Sequence, residues 1–514
     1  VVGCDSAAST PDNGGPPVDE LGETAEVEYN YTSDYKYNVN IIYFKPKDVD
    51  NVENYHERLS GFLRYVQDYY KKWMSFWGHG EKTFGLLTDG DMVKITHIEG
   101  DHPVSEYPND GGGWTVRQEV RDYFETNPDA EPDSKHYMVF MPDPDWDPEG
   151  GLPYYGIGRW CFVVDVGQNE EDAPHDGGGA AHELGHALNL PHNAHRLSRR
   201  NELGAALMHN GNNVWNNKGG ATETSLTEAS AAILNVNQVF NKDGGPSYQS
   251  VDVSLRSARG TYESGNLLVG GSFDSDTPVD KAVVLFDPEG GGNYNRVEWT
   301  TSVIEEDSFS VTVPRSELPQ NQNVDYGSRV WLIHQNGQVS SFQLANFAFQ
   351  NGTPNIDFRY GEVSTLPKDA WSIESVSDEE PTDNNSTGNS QVAENVLDGD
   401  YDTFWHSRYS DGEVPHPHTL TVDMGETKEV KGFQFVQREA ISAGAKRVRL
   451  EQFALEVSTD AETWQELGGY SLDNTGLPQQ IELDQARTFR YFRIKTETSV
   501  EHEARTSLAE VGVY

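Results

Sequence analysis

The stretch AAHELGHALNLPHN, residues 180–193, constrains this chain more than any other feature, because it places three histidines and one glutamate within eleven positions. His182 and His186 are four positions apart, so on a helix both imidazoles project from the same face and can share one metal ion. Glu183 lies beside them on that helix. A catalytic zinc ion usually takes three protein ligands. His192 supplies the third ligand only if the helix stops and the chain turns back.

Two residues between the histidines provide that stop. Asn189 is, after glycine, the residue type that most readily adopts the left-handed conformation that ends a helix, and Pro191 cannot continue one. We therefore expect the helix to end near Asn189 and His192 to return to the metal. The spacing predicts a zinc site formed by the three histidines, with Glu183 placed where it can reach a metal-bound water.

The sequence HELGHALNLPH resembles the HExxHxxGxxH motif of the metzincin metallopeptidases, with Asn189 in place of the family's usual glycine. The resemblance implies a methionine turn under the zinc, matched by Met208, and a substrate-binding edge strand near residues 151–158. It also implies peptide hydrolysis, in which zinc polarises a carbonyl and acidifies a water molecule whose proton Glu183 passes to the leaving amine. The tyrosine that some metzincins carry two residues after the methionine is absent, since Asn210 stands there.

The residues around the motif alternate between strand and helix patterns, which predicts an α/β domain over residues 31–243. The expected strands are 37–44, 82–88, 91–98, 135–141 and 157–166, and the expected helices are 52–73 and one near 115–126. Ser225 and Glu228 form a capping box that predicts the start of a closing helix. The zinc motif therefore lies on a later helix of a mixed domain.

The rest of the chain is predicted to be all β, so the fold class is multidomain. Residues 246–362 alternate apolar and polar residues in short runs, which indicates an immunoglobulin-like β-sandwich acting as a spacer or as a wall of the cleft. Residues 367–514 contain AENVLDGDYDTFWHS, PHTLTVDMG and RYFRIKTE, and this order is similar to that of discoidin domains, the factor 5/8 C-terminal type of jelly roll.

The discoidin resemblance implies two further sites. A structural calcium ion, which prefers oxygen ligands, is expected at Asp398, Asp400, Thr403 and Glu510. Contacts to a sugar are expected at His406 and Arg438, at loop positions. Relatives of this fold bind sugars, lipids or proteins, so the ligand itself stays open.

Composition and the N-terminus limit the partners and the location. The chain of 514 residues carries a formal charge of −45, which argues against nucleic acid as a partner, and it has no long apolar run to span a membrane. VVGC at the N-terminus resembles the end of a bacterial lipoprotein signal. We therefore expect residues 1–30 to be a flexible tether anchored through a lipid on Cys4, and a monomer at the bacterial cell surface or outside the cell.

Two functions remain open from the sequence. The first is a zinc endopeptidase that cleaves extracellular, possibly glycosylated proteins and carries a carbohydrate- or surface-binding module. The alternative is a cell-surface adhesin or glycan-binding protein with an inactive peptidase-like domain. Retention of all three histidines and Glu183 favours the enzyme. Cys161, in RWCFVVDV, is interpreted as a buried strand residue, with a thiol switch on the zinc as the weaker alternative.

Overall fold

The computed structural model describes residues 28–514, except for 131, 133, 144–150, 245–247, 289–291, 304–306, 320–323, 362, 381–390, 411, 439–446 and 502–503. The predicted lipid anchor Cys4 and almost all of the predicted tether lie outside the described residues. Three parts follow one another along the described chain: a mixed α/β domain and two β-rich domains.

The first domain is built on a twisted sheet whose strand order is β4-β1-β5-β7-β6. The strands of this domain are β1 (Asn40–Lys45), β2 (Thr88–Asp89), β3 (Met92–Val93), β4 (Ile95–Glu99), β5 (Tyr137–Pro142), β6 (Tyr155–Ile157), β7 (Trp160–Asp165), β8 (Ala205–Ala206) and β9 (Thr224–Ser225). Strands β4, β1, β5 and β7 run parallel, whereas β6 runs antiparallel to β7 at one edge.

Helices cover both faces of this sheet. They are α1 (Tyr55–Phe76), α2 (Gly112–Thr126), α3 (Ala173–Asp176), α4 (Gly178–Ala187), α5 (Leu197–Leu203), α6 (Asn212–Lys218) and α7 (Glu228–Asn235). Helix α1 buries an aromatic stripe that includes Phe62, Tyr69 and Trp73 in the larger core, together with α4 and α7. Helix α2 covers the opposite face through Val116 and Val120. The aromatic stripe of α1 is therefore core, as its helical spacing predicts.

Three sequence expectations fail locally. Of the strand expected at 82–88, only Thr88 lies in a strand, because the backbone of Gly85 makes single bonds to Val39 and Val239 instead of a ladder. The strand expected at 157–166 is present as β7 over Trp160–Asp165, but its first residues belong to a hairpin, since Gly158 and Arg159, with φ of 55° and 70°, form a tight turn between β6 and β7.

The predicted capping box is also wrong. Helix α7 begins at Glu228, and its cap is Thr227, whose hydroxyl oxygen accepts from the Ser230 amide at 3.0 Å. Ser225 lies earlier, in β9, where its hydroxyl is 2.7 Å from His195 Nε2. Ser225 and Glu228 therefore have the spacing of a capping box, but Ser225 does not cap helix α7.

The second domain consists of two antiparallel sheets. Its strands are β10 (Val253–Glu263), β11 (Asn266–Ser275), β12 (Val279–Pro288), β13 (Val297–Ser302), β14 (Ser308–Pro314), β15 (Asp325–His334), β16 (Val339–Gln350), β17 (Thr353–Pro354) and β18 (Asp357–Gly361). One sheet has the order β14-β11-β10-β18 and the other β13-β12-β15-β16-β17, with a shared apolar core between them. This is the two-sheet arrangement that the alternating pattern predicts.

The second of these sheets is covered on both faces. Alternate residues of β12 and β15, among them Val284 and Leu332, face the sandwich core. The residues between them enter the core of the first domain and are Val283, Leu285, Trp331 and Ile333. Full burial of such side chains contributes about 1.5–3 kcal/mol each. The first two domains are therefore packed together through a shared hydrophobic core.

The C-terminal domain continues the sandwich. Its strands are β19 (Ser372–Val376), β20 (Trp405–His406), β21 (Thr419–Val436), β22 (Leu450–Ser458), β23 (Gln465–Ser471), β24 (Gln479–Ser499), β25 (Ser507–Leu508) and β26 (Glu510–Val513). Tyr360 of β18 pairs with Gln479 of β24, and the Tyr360 hydroxyl donates to Asp473 at 2.5 Å. Trp405 is fully buried in the core of this domain, as expected for a structural tryptophan.

Candidate metal centre and cleft

The end of helix α4 brings the third histidine back. Asn189 has a φ of 69°, in the left-handed region. The amide of Leu190 donates to the Gly185 carbonyl at 2.9 Å, and the amide of Asn189 donates to the His186 carbonyl at 3.0 Å. This pair of bonds is the Schellman arrangement that closes a helix. The helix stop predicted at Asn189 is confirmed.

His182, His186 and His192 converge. One ring nitrogen from each lies within 4.8 Å of the others, and no other such group of three His, Cys, Asp or Glu side chains occurs among the described residues. The Nε2 atoms of His186 and His192 are 3.0 Å apart. Two nitrogen ligands of a tetrahedral zinc ion, with Zn–N bonds of about 2.0–2.1 Å, are separated by about 3.3 Å. The arrangement therefore fits a zinc ion.

Backbone carbonyls orient two of these rings. His182 Nδ1 lies 2.7 Å from the Leu207 carbonyl oxygen, and His186 Nδ1 lies 2.9 Å from the Leu190 carbonyl oxygen. Because a carbonyl only accepts, each Nδ1 carries the proton and each Nε2 keeps its lone pair for a ligand. The turn that ends α4 thus also fixes the tautomer of His186.

The three imidazoles are neutral. Burial lowers the pKa of His182 to about 4 and that of His192 to about 3, and burial also lowers the pKa of His186. In each case the cost of desolvating the cation is the largest cause. Neutral imidazole is the form that binds a metal, so the site is set for a cation at neutral pH.

Glu183 is held beside the histidines by the edge strand. Its Oε2 accepts from the Gly156 amide of β6 at 2.7 Å. Burial raises the pKa of Glu183 to about 7, although the Gly156 bond opposes that shift. A carboxyl group with a pKa near neutrality can both accept and return a proton.

Strand β6 and helix α4 approach closely at Gly156. A Cβ at this position would stand 2.3 Å from the Glu183 carbonyl oxygen and 2.6 Å from His186 Cβ. Only glycine fits there without moving the backbone. The stretch 151–158 therefore does contain the edge strand that its position in the sequence suggested, and this strand borders the candidate site.

Met208 lies under the helix that carries the histidines. Its side chain is 1% exposed, and its Sδ would be 2.5 Å from a Cβ added at Gly185. It belongs to the turn Leu207–Gly211, in which His209 has the non-helical angles φ −100° and ψ −105°. Met208 is thus placed where the metzincin resemblance puts its methionine turn.

A cavity of ≈ 640 Å³ with a mixed polar and apolar lining adjoins Glu183. Its wall combines the apolar residues Phe62 and Val166 with amide and carboxyl side chains. The polar residues of the lining include Asp172, Asp176, Asn212, Asn216 and Asn217. Sequence reasoning did not identify this cavity, because its walls come from segments that share no motif.

The second domain reaches the site through residues 294–297, which sequence reasoning also missed. The ring of Tyr294 stacks on that of His192, with 3.6 Å between centroids and 25° between planes. The Ala194 amide donates to the Arg296 carbonyl at 2.6 Å, and Ala194 bridges Val297 in parallel. No sequence signal marks this contact, because about a hundred positions separate the two segments.

The residues predicted to bind calcium are only partly brought together. The Thr403 hydroxyl donates to Asp398 at 2.7 Å, and the Gly399 amide donates to Glu510 at 3.0 Å. The Lys368 ammonium group donates to the other oxygen of Glu510. A calcium ion would have to displace this ammonium group from the carboxylate, so the residues as arranged do not fit the expected cage. The calcium site stays a prediction.

Arg438 lies at a loop position, as expected, whereas His406 does not. His406 is in strand β20 and 4% exposed, so it does not lie in a loop. Burial lowers its pKa to about 4, and the positive charge of Arg438 contributes to that shift. Arg438 follows β21, and its guanidinium carbon lies 3.8 Å from the centroid of the Phe404 ring. The two side chains are therefore near each other, and their role in sugar binding stays a prediction.

Cys161 is a structural residue of strand β7. It is fully buried, and burial raises the pKa of its thiol well above the ordinary value. A thiol in this state is a poor nucleophile and a poor metal ligand. Within the described part of the chain, no helix is both long enough and apolar enough to cross a membrane.

Comparison with known proteins identifies the C-terminal domain. Residues 373–511 match the F5/8 type C domain family, so the chain carries a discoidin domain at this end. Galactose oxidase of Gibberella zeae is 30% identical over 123 residues, which are 23% of this chain and 17% of that protein. Sialidase of Micromonospora viridifaciens is 27% identical over 122 residues, 24% of this chain and 18% of that protein. The matches thus span less than a fifth of these relatives.

The likeness to solved structures extends further. Wild-type OgpA from Akkermansia muciniphila is 28% identical, with a TM-score of 0.56, over 66% of this chain and 98% of that one. A catalytically inactive OgpA in complex with an O-glycopeptide (glycodrosocin) substrate gives a TM-score of 0.57 over the same shares. These shares are too large to come from the discoidin domain alone.

Proposed function

We propose that this chain is a zinc-dependent endopeptidase that cleaves O-glycosylated proteins outside the cell. The observation that carries the proposal is the convergence of His182, His186 and His192 beside Glu183, which the Gly156 amide holds at 2.7 Å. Zinc, when bound by the three imidazoles, would supply a Lewis acid for the scissile carbonyl.

The residues of the chain itself supply the rest of the chemistry. Glu183, whose pKa burial raises to about 7, takes a proton from the attacking water and delivers it to the leaving amine. Strand β6 pairs with β7 on one side only, within the described residues. Its other edge is suited to bind the substrate backbone as an added strand.

The cavity beside Glu183 supports a glycosylated substrate. Its asparagine and aspartate side chains offer donors and acceptors for sugar hydroxyls, and its volume of ≈ 640 Å³ is that of a pocket for a small ligand. The likeness to OgpA, solved with an O-glycopeptide substrate, agrees with this choice of substrate. The discoidin domain adds a second module to the chain.

The test is cleavage of an O-glycosylated protein and of the same protein freed of its glycans, with products mapped by mass spectrometry. We expect the wild type to cleave the glycosylated form, and a chelator or Glu183→Gln to abolish cleavage. Zinc content should survive in Glu183→Gln, because this residue is a base and not a ligand. A wild type that binds zinc and glycans but cleaves neither substrate would replace the proposal by the adhesin alternative.

A further inference from the structure

A loop of the second domain covers one side of the candidate metal centre. Tyr294 is 46% exposed, and its ring stacks on His192 at 3.6 Å between centroids. One face of this ring therefore lies on His192, and nearly half of the side chain's surface stays open to solvent beside the metal centre.

The loop is fixed in this position from several directions. Asn295 Oδ1 lies 2.9 Å from His209 Nε2, in the turn that contains Met208. The Ala194 amide, two residues after His192, donates to the Arg296 carbonyl. The Arg296 guanidinium is held in turn by Asp287 at 3.0 Å. These bonds join the second domain to the segment that follows His192 and to the turn that contains Met208.

The domain beneath the loop is itself immobilised. Val283, Leu285, Trp331 and Ile333 of its sheet are buried in the core of the first domain. Because this sheet is fixed to the first domain, the loop keeps its position relative to the histidines. A residue that positions another side chain must be held in this way. A flexible spacer would leave this sheet exposed on its outer face.

We propose that Tyr294 completes the active site from the second domain: one face of its ring positions His192, and its exposed face forms a surface beside the three histidines against which substrate packs. The second domain is accordingly part of the catalytic unit. The ring, not the hydroxyl group, carries both roles. The substrate contact rests on the peptidase function proposed above, whereas the positioning of His192 does not.

The experiment compares Tyr294→Ala and Tyr294→Phe with wild type for zinc affinity and for KM and kcat on a glycopeptide. Loss of an aromatic stacking contact changes an equilibrium constant by about 3- to 10-fold. Tyr294→Ala should therefore weaken zinc binding and raise KM by about these factors. Tyr294→Phe should match the wild type in both. Phe76→Ala is the control, because Phe76 is 48% exposed at the far end of α1.

Each outcome has a defined meaning. Equal zinc affinity and KM in wild type and Tyr294→Ala overturn the proposal, as does a phenylalanine variant as impaired as the alanine variant. Weaker zinc binding with unchanged KM supports the positioning of His192 and overturns the substrate contact. If the wild type cleaves nothing, the peptidase proposal fails, while zinc affinity still tests Tyr294. Should Tyr294→Ala fail to fold, Tyr294→Leu keeps most of the volume and removes the flat ring.

Discussion

His182 Nδ1 lies 2.7 Å from the carbonyl oxygen of Leu207, the residue immediately before Met208. This bond links the first histidine of the helix to the turn that runs beneath it. The turn therefore sets the tautomer and the direction of His182, while the end of helix α4 does the same for His186. The orientation of these two rings depends on backbone atoms from two separate segments.

The first prediction concerns metal affinity. His192→Ala should weaken zinc binding by at least about 100-fold, because loss of an outer hydrogen-bond partner alone typically costs about 10- to 100-fold. Competition with a chelator measures the dissociation constant, and metal analysis gives the content. His175→Ala is the matched control, since His175 is exposed and outside the cluster. Equal zinc binding by His192→Ala and wild type would remove His192 from the site.

The second prediction concerns the contact between the edge strand and the helix. Gly156→Ala should lower kcat/KM at least about 10-fold, because its Cβ would stand 2.3 Å from a backbone oxygen of α4 and displace the amide that holds Glu183. Gly185→Ala should lower kcat/KM by a smaller factor, because the new Cβ would meet Met208 Sδ, which belongs to a flexible side chain. Steady-state kinetics with zinc content as a check distinguishes the two. A larger loss at Gly185 would contradict this account.

The third prediction concerns pH and a buried ion pair of the C-terminal domain. His418 Nδ1 lies 2.8 Å from Asp378, and its Nε2 lies 2.7 Å from the Ala504 carbonyl oxygen. Burial alone would lower the pKa of His418, but these two acceptors raise it. Burial alone would raise the pKa of Asp378, but the bond from His418 and that from the Arg408 amide lower it to about 2.

The sign of the pH effect follows from these directions. The raised pKa of His418 gives stability that is complete below its unfolded pKa of about 6.5 and is lost as pH rises through the folded value. Asp378 stays ionised down to a pH of about 2. Asp378→Asn should therefore destabilise this domain by about 1–3 kcal/mol near pH 5.5 and by less near pH 9.

Amide hydrogen exchange of residues 372–514 at the two pH values measures this difference. Asp369→Asn serves as the control, because Asp369 is an exposed carboxylate of the same region. A loss of protection in Asp378→Asn that is equal at both pH values would show that His418 is not a cation in the folded domain.

The convergence of the three histidines was predictable from sequence because its geometry is local. Their spacing of four positions along a helix places His182 and His186 on one face. The left-handed φ of Asn189 ends the helix and turns the chain so that His192 comes back to the other two histidines. Position along the chain was also enough to suggest Met208 and the edge strand. These features depend on helix geometry and short turns, which the sequence encodes directly.

Other parts of the site depend on contacts between distant segments. The hydrogen bond from Gly156 to Glu183 and the stacking of Tyr294 on His192 join residues that no motif connects. The sequence also suggested a loop position for His406, which burial in strand β20 rules out. The sequence also gave no sign that Lys368 contacts Glu510, because Lys368 is not part of the discoidin pattern that suggested the calcium site.

The last prediction concerns the discoidin domain as a targeting module. Tyr360 pairs with Gln479 and the Gly361 amide donates to the Pro478 carbonyl at 2.8 Å, so the module continues a sheet of the second domain. A binding module fixed in this way raises the effective substrate concentration wherever its own ligand is abundant. A chain ending at residue 366 should therefore cleave a short glycopeptide at nearly the wild-type rate.

The same truncated chain should cleave a heavily glycosylated protein more slowly, through a KM raised about 10-fold or more with kcat unchanged. Arg438→Ala in the full chain should reproduce part of this increase, because Arg438 lies beside His406 at the expected sugar site. Arg408→Ala is the matched control, since Arg408 is an exposed arginine of the same domain. Equal slowing of both substrates by truncation would mean that the discoidin domain stabilises the sandwich and does not deliver substrate to Glu183.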